Sequence, residues 1–329
     1  MKTVVKHVNG KNYLYAYDSI YIAQGKSTQK QKSLGNADSI SNLSDKQKEF
    51  SEFIRKEETK IRTKYWEHKI KSPDFIKYIS VEDLEKLRAS LYRAKQEMGQ
   101  VGTVAMATVF MVDFIYNSNR LEGSKVPREE IEEAVKKKKA KKIAEVDNTI
   151  TAMYKVDKEY KFNIKSTIEL HNVLMSHEPS KLGLREVAVV VGNEAVAPSE
   201  EINDRLKELF YWYEKNRKTM YPPELAFDFY YKFERIHPFA DGNGRTGRLI
   251  MNRILKENKY HPIIVSWKRK KAQENAFKKR MDGRAHFFYK FMSQEFKRTH
   301  EIYLDKIEEA FSFERLAESF MTPSSYYDE

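Results

Sequence analysis

The stretch from 237 to 248, His-Pro-Phe-Ala-Asp-Gly-Asn-Gly-Arg-Thr-Gly-Arg, constrains this 329-residue chain more than any other. Upstream, Leu225, Ala226, Phe229, Tyr230, Phe233 and Ile236 recur at helical spacing behind Pro222 and Pro223, a favoured helix start. Downstream, Leu249, Ile250, Ile254 and Leu255 continue a second helix. The glycine-rich loop therefore joins helix to helix. That placement excludes the dinucleotide fold, although Gly242 to Gly247 fits G-x-G-x-x-G, because that fingerprint must follow a strand. A Walker A loop is excluded too, since no Lys-Ser/Thr pair follows the glycines.

The inventory suits a metal-bound polyphosphate held beside a hydroxyl awaiting deprotonation. His237 is the one member that titrates near neutral pH, a natural general base. Asp241 is the hard oxygen donor that Mg²⁺ prefers. Gly242 and Gly244 let backbone N–H groups approach an anion where a helix begins. Arg245 and Arg248, three apart, share a helix face and carry the forked donors that match phosphate oxygens.

Composition bounds the rest. Hydrophobic content of 40% and aromatic content of 13% indicate a folded chain. With no cysteine there is no disulfide framework or thiolate metal site, and a cytoplasmic protein is expected. The first residues carry no apolar run of signal-peptide type. Val101 to Ile115, interrupted by Asp113, falls short of the about 20 residues that span a bilayer, so a buried helix is expected and no membrane partner. The net charge of +12 raises nucleic acid as a partner, but the 48 acidic and 60 basic residues are interspersed.

In chain order, residues 1–38 form a small β-rich module, with Asn9-Gly10 as a turn dipeptide. This Lys- and Tyr-rich piece is either an edge hairpin on the main body or a recruitment module for nucleic acid or a target. Residues 45–100 are expected to be a helical flanking region. The helix of 103–123 ends in Ser118-Asn-Arg-Leu-Glu122-Gly123, with Ser118 and Glu122 on one face and Gly123 as a stop. The run Lys136 to Lys142 reads as a solvated helix end. Val187 to Val191, a Gly192-Asn193 turn and Pro198 make the one strongly β-prone stretch in mid-chain. A C-terminal helical extension is expected over 296–329.

The 237–248 stretch resembles the signature of the Fic (Fido) domain family, H-P-F-x-[D/E]-G-N-G-R-x-x-R, and matches it at every stated position. The resemblance covers roughly residues 105 to 290. It implies a mainly α fold, a Fic-type helical core at 101–295 with a small β-hairpin flap at 183–198. It implies a protein adenylyltransferase moving AMP from ATP to a Ser, Thr or Tyr hydroxyl of a target protein or of itself. His237 would be the catalytic base and Asp241 the ligand of Mg²⁺ (or Mn²⁺). Gly242, Asn243 and Gly244 would bind the α-phosphate, and Arg245 and Arg248 the β- and γ-phosphates. Ser118, Glu122 and Gly123 are similar to the family's inhibitory motif, so Glu122 would act as a brake by pairing with Arg248. Removal of AMP by the same glutamate and a homodimer stay open. One departure is Tyr230, which stands where many relatives have His. Transfer of another nucleotide or phosphate-containing group, or a nucleic-acid-binding regulator with a dormant core, is the alternative.

Overall fold

A computed structural model describes residues 1–40, 42–136, 143–191 and 194–312. Asn9 and Gly10, with φ of 51° and 75°, turn β1 (Lys2–Val8) into β2 (Lys11–Ala23). Two positive φ angles give the hairpin turn whose twist matches the strands it joins. Gly25 turns β2 into β3 (Lys26–Asn36), and the three strands form an antiparallel sheet in the order β1-β2-β3.

Alternation puts Leu14, Ala16 and Ile20 on one face of the sheet. There Ala16 and Leu34 pack on Phe50 and Ile54 of α1 (Leu43–Glu67). Beyond that small cluster Ala23 joins the main core, and the remaining contact is largely ionic. Arg62 of α1 donates to the β2 carbonyls of Tyr21 (3.0 Å) and Ile22 (2.5 Å) and to Glu85 Oε2 (2.5 Å) on α3 (Val81–Glu97). Arg88 bonds Glu85 and Glu58, and Arg93 bridges Glu58 (2.8 Å) to Asp18 of β2 (2.7 Å). Arg62 and Arg88 overcome the burial of Glu85 and hold its carboxyl below the usual range. The region 45–100 does not have a core of its own: Trp66 of α1 packs on Tyr221, ring centroids 5.9 Å apart. Between α1 and α3, the short α2 (Pro73–Tyr78) starts on a Ser72 cap, and Glu224 accepts from the N–H groups of Lys71 and Ser72.

The main body is a helical bundle. After α3 come α4 (Gly99–Leu121), α5 (Arg128–Val135), α6 (Ala144–Lys158) and α7 (Ile164–Leu174). A two-residue ladder, β4 (Val190–Val191) with β5 (Glu194–Ala195), is followed by α8 (Ile202–Asn216). Then come α9 (Pro222–Ile236), α10 (Asn243–Glu257), α11 (Lys270–Met281) and α12 (Ala285–Ser312). The pair α9 and α10 forms the middle: Leu225, Phe229, Phe233, Ile250 and Ile254 are fully enclosed. Truncating such a ring to Ala costs about 3–5 kcal/mol, so the loop between them rests on a stiff base.

Two expectations change. The boundary drawn at 295/296 falls inside a single helix, α12. The apolar stretch read as 101–115 extends into a 23-residue helix, α4, which by length and composition alone is long enough to cross a membrane. Half of that window is buried in the protein, where the carboxylate of Asp113 accepts from Arg128 and from Tyr303 (2.9 Å). The Lys136 to Lys142 run beyond Lys136, the Gly192-Asn193 turn and the end of the C-terminal extension after 312 lie outside the described residues.

Candidate active site

α9 stops where His237 enters the left-handed region, φ 50° and ψ 61°. A non-glycine residue there costs about 1–2 kcal/mol, so something must hold it. Arg185 does so: its Nε donates to the His237 carbonyl at 2.7 Å, and its Nη2 to Ile236 and Ala197 carbonyls. Its own N–H bonds the Pro238 carbonyl at 3.0 Å, and Ala197 N–H reaches Arg235 O at 3.4 Å. One arginine thus ties both feet of the β4–β5 ladder to the start of the loop. The His237 Nδ1 is buried without a partner among the described residues. Burial, aided by the nearby Arg185 charge, pushes the imidazole below its usual value, so it is neutral and proton-accepting at pH 7.

The loop is fastened from inside. Asn243 Oδ1 accepts from Phe239 N–H (2.9 Å) and its Nδ2 donates to Phe239 O (2.8 Å). The Asn243 side chain thus closes the loop, while its backbone N–H is among the first N–H groups of α10. Phe239 stacks on His171 of α7 at 3.6 Å and 8°, and His171 Nε2 lies 2.9 Å from the Asp241 carbonyl. Gly242 takes φ 76°, and a Cβ on it would stand 2.9 Å from Met175 Sδ. α10 then begins, its first intrahelical bond running from Thr246 N–H to the Gly242 carbonyl. The N–H groups of residues 243–245 precede that bond and point out of the helix end, a setting that attracts anions.

An anion is there. The Glu122 carboxylate, just past the end of α4, lies over Gly244 so closely that a Cβ would meet Oε1 at 2.2 Å. Arg248 Nη2 donates to that Oε1 at 2.7 Å and to Ser118 O at 3.0 Å, while Nε donates to Ser118 Oγ at 3.0 Å. Burial works against the charge on Arg248, but Tyr230 and Glu122 outweigh it and raise its pKa. Tyr230, which departs from the family pattern, accepts from Arg248 (3.4 Å) and Gln273 (2.8 Å), and its ring fills the space above Gly247. Gly123 takes φ 97° as the helix stop. Glu234 sits near this pair; burial and the Glu122 charge raise its pKa to about 8.

Asp241 faces two cations. Its Oδ2 accepts from Lys181 Nζ at 2.9 Å, and Oδ1 from Arg245 Nη2 at 3.2 Å and the Gly242 N–H at 2.5 Å. Against the effect of burial, Lys181 and Arg245 keep the carboxyl below the usual range. A half-buried, ionised carboxylate whose main partner is a partly exposed lysine suits exchange of that ammonium for a divalent ion. Among the described residues no group of three His, Cys, Asp or Glu could hold a metal, so phosphate and water would complete the shell, as Mg²⁺ prefers.

The structure brings His237, Asp241, Gly242, Gly244, Arg245, Arg248, Ser118 and Glu122 into one site. Sequence reasoning missed Arg185, Lys181 and His171. Arg185 stands just before the β-prone stretch, and His171 lies within α7 with no motif around it to mark it.

Comparison with known proteins agrees with this geometry. Residues 161–255 match the model of the Fic/DOC family. Among curated relatives, "Protein adenylyltransferase Fic" of Nematostella vectensis is 29% identical over 152 residues, 45% of this chain and 36% of that protein. The Drosophila erecta protein of the same name is 31% identical over 144 residues, 43% of this chain and 29% of that one. The chain thus spans about a third of the length of these relatives. Among solved structures, a Fic-domain-containing signaling protein from Bacteroides thetaiotaomicron aligns with TM-score 0.62 at 19% identity, covering 69% of this chain and 97% of that one. Fic-1 from C. elegans aligns with TM-score 0.55 at 20% identity, covering 67% and 71%. These likenesses establish a mainly helical Fic fold.

Proposed function

We propose, from a chain that carries a Fic/DOC domain, that it is a protein adenylyltransferase restrained by its own Glu122. The observation that carries this reading is the Glu122 carboxylate bound by Arg248 over Gly244, at the N-terminal end of α10. An anion site of helix dipole, backbone N–H groups and a forked guanidinium suits a phosphate, and an internal carboxylate occupies it.

In the reaction, His237 takes the proton of a Ser, Thr or Tyr hydroxyl on a target protein. The hydroxyl oxygen bonds to the α-phosphorus of ATP as the bond to pyrophosphate breaks, leaving an AMP ester on the target and a proton on His237. Asp241 would hold Mg²⁺, which when bound offsets polyphosphate charge. The N–H groups at the start of α10 bind the α-phosphate, and Arg245 and Arg248 bind the departing pyrophosphate. Little covalent work falls to the protein; positioning and charge stabilisation carry the rate. The β4–β5 ladder, tied by Arg185 to the loop that bears His237, is placed to pair with a target backbone and present its hydroxyl.

With Glu122 in place Arg248 cannot hold a γ-phosphate. Losing one charge-assisted contact is worth about 1.5–3 kcal/mol, so Glu122→Gly is expected to raise transfer roughly 10- to 100-fold. Intact-mass spectrometry of Glu122→Gly with MgATP should show added adenylyl groups, absent when His237→Ala is combined with it. No gain with ATP, but a gain with UTP or CDP-choline, would change the donor. No gain with any of them would overturn the transferase reading.

A further inference from the structure

We propose that the open face of the β1-β2-β3 sheet binds single-stranded nucleic acid. β2 carries Tyr13, Tyr15 and Tyr17 at alternate positions, so all three rings leave the face opposite Ala16 and α1. Register brings Lys6, Val4 and Lys2 of β1 beside these three tyrosines on that face, and Gln31 of β3 beside Tyr17. The placement is confirmed by contact: Lys6 Nζ sits 4.8 Å from the Tyr15 ring centroid and 2.8 Å from Gln31 Oε1. The rings are half-exposed, and Lys2 is exposed.

The charge favours a polyanion. Residues 1–36 hold six lysines and a single acid, Asp18. Asp18 lies on the α1 side, where Arg93 binds it at 2.7 Å. Lys30 and Lys32 on that side are spent on Glu57 and Glu49 of α1. The open face therefore keeps its cations and bears no carboxylate.

Ring spacing selects the strandedness. Alternate residues of an antiparallel strand lie about 6.8 Å apart, twice the roughly 3.4 Å rise per base of a duplex strand. Bases still stacked on one another could not each meet a ring; splayed bases of a single strand could. An aromatic platform with amide and ammonium groups at its edges is how proteins bind such strands with little sequence preference. An acidic peptide would use the lysines but leave the three rings without a role. The Arg62 bonds to the β2 carbonyls make the platform rigid relative to the bundle.

The test is fluorescence anisotropy of the full chain with labelled oligo(U) and oligo(dT) of roughly 12 nucleotides, the corresponding duplexes, and a poly-glutamate peptide. Saturable binding of at least one single strand is expected, about 10-fold tighter than its duplex, with log affinity falling against log salt at about −0.7 per phosphate contacted. The arm that binds decides between RNA and DNA. Tyr15→Ala and Tyr17→Ala should each weaken binding about 10-fold, whereas Tyr15→Phe, which keeps the ring, should not. The double variant Lys2→Glu with Lys6→Glu, both at the surface, should flatten the salt slope without unfolding the sheet. Absence of saturable single-strand binding in low salt would overturn the proposal. So would affinity unaffected by the tyrosine and lysine changes, or equal binding of duplex or poly-glutamate.

Discussion

Two places in this molecule use buried arginines to hold carboxylates, and they are built in opposite ways. Beneath the sheet, Arg62, Arg88, Glu58 and Glu85 are wholly enclosed: Arg88, Glu58 and Glu85 each hold two ion pairs, and Arg62 adds the Tyr260 hydroxyl and two β2 carbonyls to its pair with Glu85. At the candidate site Arg248 is just as buried, but the Glu122 side chain is 30% exposed and that arginine is its one ion-pair partner among the described residues. A closed network cannot open without leaving a charge in a dry interior, so it fixes where the sheet sits. A pair whose carboxylate end reaches water can part when another anion takes its place on Arg248, so it can serve as a latch.

Breaking the closed network should give the largest effect. Glu85→Ala strips Arg62 of its carboxylate and Arg88 of one of its two, and is expected to cost about 3–5 kcal/mol of stability in denaturant unfolding. A cost under about 1 kcal/mol would mean that water reaches the network and the contrast fails.

Acid should sharpen the contrast next. Glu85 is held ionised, so mild acid leaves the network alone, but His237 must be neutral to accept a proton. Its pKa lies below the usual value of about 6.5. Transfer by Glu122→Gly should therefore be flat from neutral pH upward and fall about tenfold per pH unit once pH drops below a midpoint under about 6.5. The stability held by a neutral buried histidine has the same sign: present above about 6.5, lost as pH falls toward the lowered folded value. A midpoint above 7 would contradict the burial of this imidazole.

A last test concerns Glu234, whose carboxyl is neutral in the fold below about 8 and ionised in the unfolded chain above about 4.3. Its raised pKa is a penalty that is absent below the unfolded value and grows as pH rises toward 8. Glu234→Gln should leave the melting temperature unchanged near pH 4 and raise it at pH 8. Equal melting curves at both pH values would show that this carboxyl is solvated.

The sequence by itself determined the loop, its histidine, its carboxylate and its arginines, because these lie within twelve consecutive positions between two helical patterns. It also determined the Ser118/Glu122 helix end and the N-terminal hairpin, whose turn chemistry is local. Tertiary structure alone decided which groups meet across distance. Arg185 reaches the His237 carbonyl from 52 positions away, and Lys181 reaches Asp241 from 60. It also decided that the Asn243 amide turns inward to Phe239, and that the sheet is bolted to the bundle by ions. Periodicity reports which face of an element is apolar. It does not report which distant carbonyl a buried guanidinium will satisfy, because that depends on how the packed helices leave their polar groups facing one another.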